Sequence, residues 1–282
     1  MAKQRISSFE SIDARIALLR KAKRDEQARM AELRFVCDEH GEQVIRYDPE
    51  GPKPEVVCPV CAERARKIEA RKKKFLDART TFMAYAKEPL TEEDEGMTFE
   101  TFEVTPEKRK NVTACQRFAD RFMTRLLAGK EKSATGIFMI GKSGNGKTHL
   151  ASAMHQRLQA QGLAPVYLRA LTLFNLYNPS GGLAANDVTK LLSRVSCLLV
   201  DEIGRSSCTT YETNQLLGLL DAREKAGLPT VLITNLEAKD VKGVLGDAFV
   251  SRSNKLLYPL RFDWADYRRS QTIATADPMD LF

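Results

Sequence analysis

Gly141, Lys142, Ser143, Gly144, Asn145, Gly146, Lys147 and Thr148 run in the order G-x-x-x-x-G-K-T. In that spacing the glycines let backbone N–H groups converge on an anion, a lysine reaches the β- and γ-phosphates, and a hydroxyl ligates Mg²⁺. Residues 137–140 before the loop are apolar and strand-like, and 148–161 after it carry a helical pattern. A strand that feeds a glycine loop into a helix N-terminus also points the positive end of the helix dipole at the bound group. The pattern implies a bound nucleoside triphosphate, with ATP and Mg²⁺ as the expected pair. His149 follows directly and is counted with the loop, although as side chains His149 and His155 read as packing or surface residues.

A second pair of carboxylates fits the same chemistry. The apolar run 197–200 ends in Asp201-Glu202, about fifty residues beyond the loop. At the carboxyl end of a buried strand, Asp201 would hold Mg²⁺ through water and Glu202 would polarise the attacking water. The strand-like run 230–233 leads to Thr234-Asn235, where a polar tip between the other strand ends can orient water and read the γ-phosphate.

A third group points to a different metal. Cys37 and His40 form a C-x₂-H pair, and Cys58 and Cys61 a C-x₂-C pair. These are four soft ligands in tight-turn spacing, the donor set of a closed, structural Zn²⁺ site. Gly41, Pro49, Gly51, Pro52 and Pro54 supply turns between the pairs, and Val44-Ile45 and Val56-Val57 suit short strands. Such a ribbon is too small to fold without its metal.

The elements that must carry these groups follow from the rest of the chain. Its 282 residues suffice for one large α/β domain and a smaller appendage. No apolar run is long enough to cross a bilayer, and the charged start of the chain is unlike a signal segment. A cytoplasmic protein with its six cysteines reduced is therefore expected. The net charge of +7 is concentrated in the first ninety residues, notably Arg64 to Lys67 and Arg71 to Lys74. A basic excess suits nucleic acid through phosphate neutralisation, and equally a solvated helix face.

Residues 8–34 have apolar residues at helical spacing (Phe9, Ile12, Ile16, Leu19, Met30 and Leu33) and predict an amphipathic helix for its own domain or a partner. A long basic helix is expected over 62–87, then an acidic linker. An extended segment over 97–104 and a helix over 107–128 precede the loop. Alternating strands and helices beyond it predict a parallel sheet with the site at the strands' carboxyl ends. The domains expected are a helical and zinc-binding region at 1–88, a linker at 89–106, an ATPase domain at 107–270 and a disordered tail at 271–282.

The succession GKSGNGKTHLA, LLVDEIG, VLITN, a helix ending in Arg252 and a terminal D-W-x-x-Y-R resembles the DnaC family of bacterial and phage replicative helicase loaders. The resemblance is close over residues 97–270 and looser before them, where the cysteines resemble those of phage-type members. It implies an α/β fold of the AAA+ P-loop type, initiator clade, preceded by a small helical and zinc-ribbon-like domain. It also implies an ATPase that binds a DnaB-type helicase through the N-terminal domain and single-stranded DNA through the ATPase ring. Self-association into a helical or ring oligomer comes with it, and no membrane partner. By the same resemblance, Asn235 corresponds to sensor 1, Arg252 to the finger acting on a neighbour's nucleotide, and Arg268 to sensor 2. Tyr177, Thr209 and Tyr211 correspond to single-strand contacts. One departure is that Ala248 stands where the family often has the first arginine of the finger helix. Two alternatives share the core: a transposition helper of the IstB type, and a nucleotide-gated DNA-binding adaptor with negligible turnover.

Overall fold

A computed structural model describes residues 20–21, 30–86, 96–127, 136–178, 184–205 and 208–264. They fall into two compact units that divide between Glu69 and Ala70.

In the first unit, β1 (Ala31–Cys37) and β2 (Gly41–Tyr47) form an antiparallel hairpin, with Cys37 opposite Gly41. Gly41 takes φ 67°, which a tight turn at that point requires. Residues 31–34, expected at the end of an amphipathic helix, belong instead to this hairpin, where Leu33 and Phe35 alternate with Glu32 and Arg34. The remainder of that expected helix, apart from residues 20, 21 and 30, lies outside the described residues. Val56 and Val57 are not in a strand either; they lead without regular structure into α1 (Pro59–Ala86), whose residues from Ala70 on belong to the second unit.

The second unit has α2 (Arg109–Asp120), α3 (Phe122–Leu127), β3 (Gly136–Ile140), α4 (Lys147–Ala160), β4 (Val166–Arg169), α5 (Ala170–Tyr177) and α6 (Ala185–Leu192). It continues with β5 (Leu198–Ile203), α7 (Thr210–Lys225), β6 (Thr230–Thr234), α8 (Val241–Leu256) and β7 (Leu257–Arg261). The single helix expected over 107–128 is broken at Arg121, whose φ of −90° and ψ of 0° end α2. Its strands pair in parallel in the order β4-β5-β6-β3-β7, so β3 and the tip of β5 flank β6.

Strand periodicity divides the core into two layers. Phe138, Ile140, Val166, Leu168, Leu198, Val200 and Leu232 face one way, onto Leu173, Leu192, Leu216 and Phe249 of the helices. Ile137, Met139, Leu199, Val231 and Ile233 face the other, onto Cys115, Phe118, Leu150 and Met154. Both faces are apolar, as a doubly covered parallel sheet needs. Arg223 lies fully buried on α7 and donates to the carbonyls of Leu192, Val195 (3.2 Å) and Pro229 (2.6 Å) and to Thr230 Oγ1 (2.9 Å). It thereby fixes the connections that lead into β5 and β6, and burial holds it down at about 10.

The segment 97–104 is not extended throughout, because its middle is a turn. Thr98 and Thr101 exchange side-chain-to-backbone hydrogen bonds (2.9 and 3.2 Å) that close a turn. The turn sends Phe99 into the core and Phe102 over Gly146, where a Cβ would collide with its ring.

Candidate functional site

The fully buried strand β3 delivers the chain to Gly141, and the loop returns to helix at Lys147. Gly144 and Gly146 take φ of 81° and 80°, conformations that favour glycine. Gly141 passes so close to the Phe262 carbonyl that a side chain has no room. No side chain caps the N-terminus of α4, which leaves its first N–H groups for a ligand.

Around this cradle the structure gathers the polar groups. Lys147 is 3% exposed, and its ammonium donates to the Lys142 carbonyl at 2.6 Å. Burial pushes it down to about 8, with the Asp201 charge opposing. Thr148 donates to Asp201 Oδ2 at 2.9 Å, bringing the hydroxyl and carboxylate of two distant motifs together. Tyr167 on β4 donates to the same oxygen at 2.6 Å, and the Glu202 N–H donates to Oδ1 at 2.6 Å. The oxygen set is hard and compact, which fits Mg²⁺.

Glu202 adopts φ 60° and is the one non-glycine residue with positive φ among the described residues. The β5–β6 register shifts between Val200 and Ile203, and this break turns the Glu202 carboxylate out of the sheet. There it meets Arg205 at 2.7 Å. Asn235 follows β6 directly and is exposed, whereas Thr234 before it is buried and donates to the Ile203 carbonyl at 2.6 Å. Lys142 pairs with Glu237 at 2.9 Å, and Ser143 is exposed at the loop's crest.

Two loop residues turn their side chains away from the phosphate position. Asn145 donates to the carbonyls of Phe262 and Trp264, each at 2.7 Å, and Trp264 returns a bond to the Asn145 carbonyl at 3.1 Å. His149 turns to the Thr98 carbonyl (2.7 Å) and lies edge-on to Phe102, so only its backbone N–H faces the cradle's helix end. Near Trp264, an open cleft of about 500 Å³ is lined by Glu107, Asn111, Leu260, Arg261 and Asp263.

The remaining candidates divide. Arg252 on α8 is bound to α7, with Nε 2.5 Å from Asp221 and Nη2 2.6 Å from Glu224. Gly246 interrupts α8 with φ 82°, beside the exposed Ala248. Tyr177 is 2% exposed and its hydroxyl is 2.9 Å from Thr189 Oγ1, so its ring is not open for base stacking, contrary to expectation. Thr209 caps α7 in a reciprocal box with Glu212. Tyr211 is half-exposed and donates to the Tyr177 carbonyl at 3.0 Å. Arg268 lies outside the described residues.

In the first unit, Cys37, His40, Cys58 and Cys61 converge with all ligand atoms within 4.8 Å of one another. Cys37 and Cys61 Sγ are 3.8 Å apart, and His40 Nδ1 lies 3.4 to 3.7 Å from the three sulfurs. A tetrahedral Zn²⁺ with Zn–S near 2.3 Å needs sulfur–sulfur edges of about 3.8 Å. The donors fit.

Comparison with known proteins agrees with this geometry. Residues 119–256 match the family model described as IstB-like ATP binding protein. The chain is 30% identical over 169 residues to the replicative helicase loader DnaC of Buchnera aphidicola from Acyrthosiphon pisum, covering 57% of this chain and 65% of that protein. It is 23% identical over 209 residues to the Escherichia coli K12 loader DnaC, covering 72% and 80%. Among solved structures, a DnaC helicase loader superposes with a TM-score of 0.52 at 17% identity, over 61% of this chain and 99% of that one. The chain is similar to these DnaC loaders over about two thirds of the Buchnera protein's length, its residues 119–256 resemble an IstB-like ATP-binding region, and its core has the AAA+ P-loop fold.

Proposed function

We propose that this DnaC-like AAA+ protein is an ATP-dependent loader that delivers a DnaB-type replicative helicase onto single-stranded DNA. The observation that carries the reading is the joining of Lys147, Thr148, Asp201 and Glu202 at the carboxyl ends of β3 and β5, in a chain whose relatives are replicative helicase loaders. Lys147 and the α4 N-terminus would hold the β- and γ-phosphates. Thr148 and Asp201 would hold Mg²⁺, which neutralises charge on the transferred phosphoryl group. Glu202 would orient the attacking water, with Asn235 beside it and Arg268 as a further contact to the nucleotide. The cleft near Trp264 offers room for the base. Arg252 would complete the site of a neighbouring subunit. The Cys/His cluster would hold a structural Zn²⁺ in the N-terminal region, which we assign to the helicase contact. Tyr211, half-exposed, keeps its assignment as a single-strand contact.

Co-purification with a DnaB-type helicase tests the reading, and failure to bind any such helicase would sink it. The Glu202–Arg205 ion pair favours one competing role, a nucleotide-gated adaptor with little turnover, because it occupies the carboxylate that hydrolysis needs. Phosphate release measured with single-stranded DNA in wild type and Glu202→Gln separates the two. The loader reading expects slow, DNA-stimulated release that the variant abolishes, and the adaptor reading expects equal traces.

A further inference from the structure

Asp201 Oδ2 accepts two hydroxyl hydrogen bonds, and only one comes from the phosphate-binding loop. Thr148 gives the longer bond (2.9 Å) and Tyr167 the shorter (2.6 Å). We propose that Tyr167 is a positioning residue for the Mg²⁺ site, holding the Asp201 carboxylate in the orientation that receives the metal. The inference rests on the reading of Asp201 as a metal-holding residue and adds a residue that neither the loop motif nor the strand-end carboxylates reveal.

The mount is rigid. β4 and β5 are paired in parallel, with Leu168 beside Val200 and Arg169 beside Asp201. The Tyr167 ring leans edge-on against His155 of α4, with centroids 6.2 Å apart and planes at 73°. His155 is itself buried at 2% exposure. One helix and one strand therefore fix where the phenol points.

The donors also divide the work. A carboxylate offers about four acceptor sites. Oδ1 is held by the Glu202 N–H at 2.6 Å. Of the two hydroxyls on Oδ2, Thr148 is the one that would ligate the metal, so its bond would change with loading. Tyr167 ligates nothing and remains. A phenol also holds the carboxylate without adding positive charge beside an incoming cation, which a lysine or arginine would do. Partners of this kind orient metal-binding carboxylates, and removing one typically costs about 10–100-fold in metal affinity.

Tyr167→Phe keeps the ring and its packing on His155 and deletes only the hydroxyl. A fluorescent ATP analogue should bind full-length wild type and variant equally in EDTA. The Mg²⁺ concentration that half-maximally tightens binding should rise about tenfold or more in the variant. Mn²⁺ binding to the nucleotide complex, followed by electron paramagnetic resonance, should weaken by the same factor. An unchanged Mg²⁺ dependence, or an equal loss of affinity with and without Mg²⁺, would overturn the assignment. Asp201→Asn is the reference. If it leaves the Mg²⁺ dependence intact, the reading of Asp201 fails with that of Tyr167. If Asp201→Asn abolishes the dependence and Tyr167→Phe does not move it, only the role of Tyr167 is lost.

Discussion

Two inactive variants mixed together should regain activity if the ATP site is shared between subunits. Arg252 is the test residue. Its guanidinium is taken up by Asp221 and Glu224 at 2.5 and 2.6 Å, and Lys255 also reaches Glu224 at 3.4 Å. The three side chains of the Arg252 pairs are between 28% and 45% exposed, so these ion pairs are partly screened. Releasing Arg252 costs on the order of 1 kcal/mol, small against what a bound phosphate returns. An arginine supplied in trans contributes about 10³-fold or more to phosphoryl transfer. Arg252→Ala should therefore keep ATP binding, lose about 1 kcal/mol of stability and lose turnover on the order of 10³-fold.

Lys147→Ala has the opposite defect, an intact Arg252 and no grip on phosphate. In a head-to-tail assembly each interface joins one subunit's loop to its neighbour's arginine. A random equal mixture then makes about a quarter of its interfaces with both parts intact, and phosphate release should recover to about that share of the wild-type rate. Mixing is checked by crosslinking, and nucleotide binding is measured on each variant alone. A mixture that co-assembles and stays inactive would refute the shared site, as would Arg252→Ala turning over at the wild-type rate. Asp221→Asn with Glu224→Gln frees the guanidinium and should lower the protein concentration at which turnover sets in.

Arg205→Gln should raise DNA-independent phosphate release, because it frees the Glu202 carboxylate from its 2.7 Å partner; a fall would mean that Arg205 holds Glu202 productively. Metal analysis should find about one Zn²⁺ per chain, and chelation should collapse the circular dichroism of the hairpin while ATP binding at the loop survives. A metal-free chain with intact structure would remove the zinc assignment. Burial holds Lys147 at about 8, well below an ordinary lysine, and phosphates favour its charged form. Binding must then take up a proton above that pH, so ATP affinity falls as pH rises through and beyond 8. Calorimetry at about pH 9 in buffers of different ionisation enthalpy should report proton uptake on binding, and no uptake would refute the shifted lysine.

What the sequence makes legible is what it encodes in short spacing. The loop at 141–148, the strand-end pair at 201–202 and the two metal-ligand pairs each lie within eight residues, and local geometry decides how they point. Thr148 and Asp201 meet because both motifs sit at the same end of one parallel sheet. Contacts that depend on packing are another matter. α5 is apolar on several sides, and nothing in its spacing reveals that Leu171 is 69% exposed while Tyr177 is buried. The alternation around Phe99 and Phe102 imitates a strand until Thr98 and Thr101 close on each other. The Tyr167–Asp201 bond joins residues 34 apart, and the Asn145–Trp264 bond residues 119 apart. No local signal marks either.

Those long-range contacts also explain why the loop can be more than a holder of phosphates. It is gripped from two sides by segments that precede and follow the rest of the core. Before the core, the 98–102 turn meets the loop's helix through His149, and Phe102 covers Gly146. After it, Phe262 and Trp264 lock Asn145 in a reciprocal set of hydrogen bonds, and Phe262 also blocks the space beside Gly141. Asn145 and Gly146 on one side and His149 on the other directly flank Lys147 and Thr148, so the two phosphate-aimed side chains sit between packed neighbours. Close-packed contacts of this kind transmit shifts and do not absorb them. The backbone of the loop faces the phosphate position while its side chains at Asn145 and His149 tie it to the segment that enters the core and the one that leaves it.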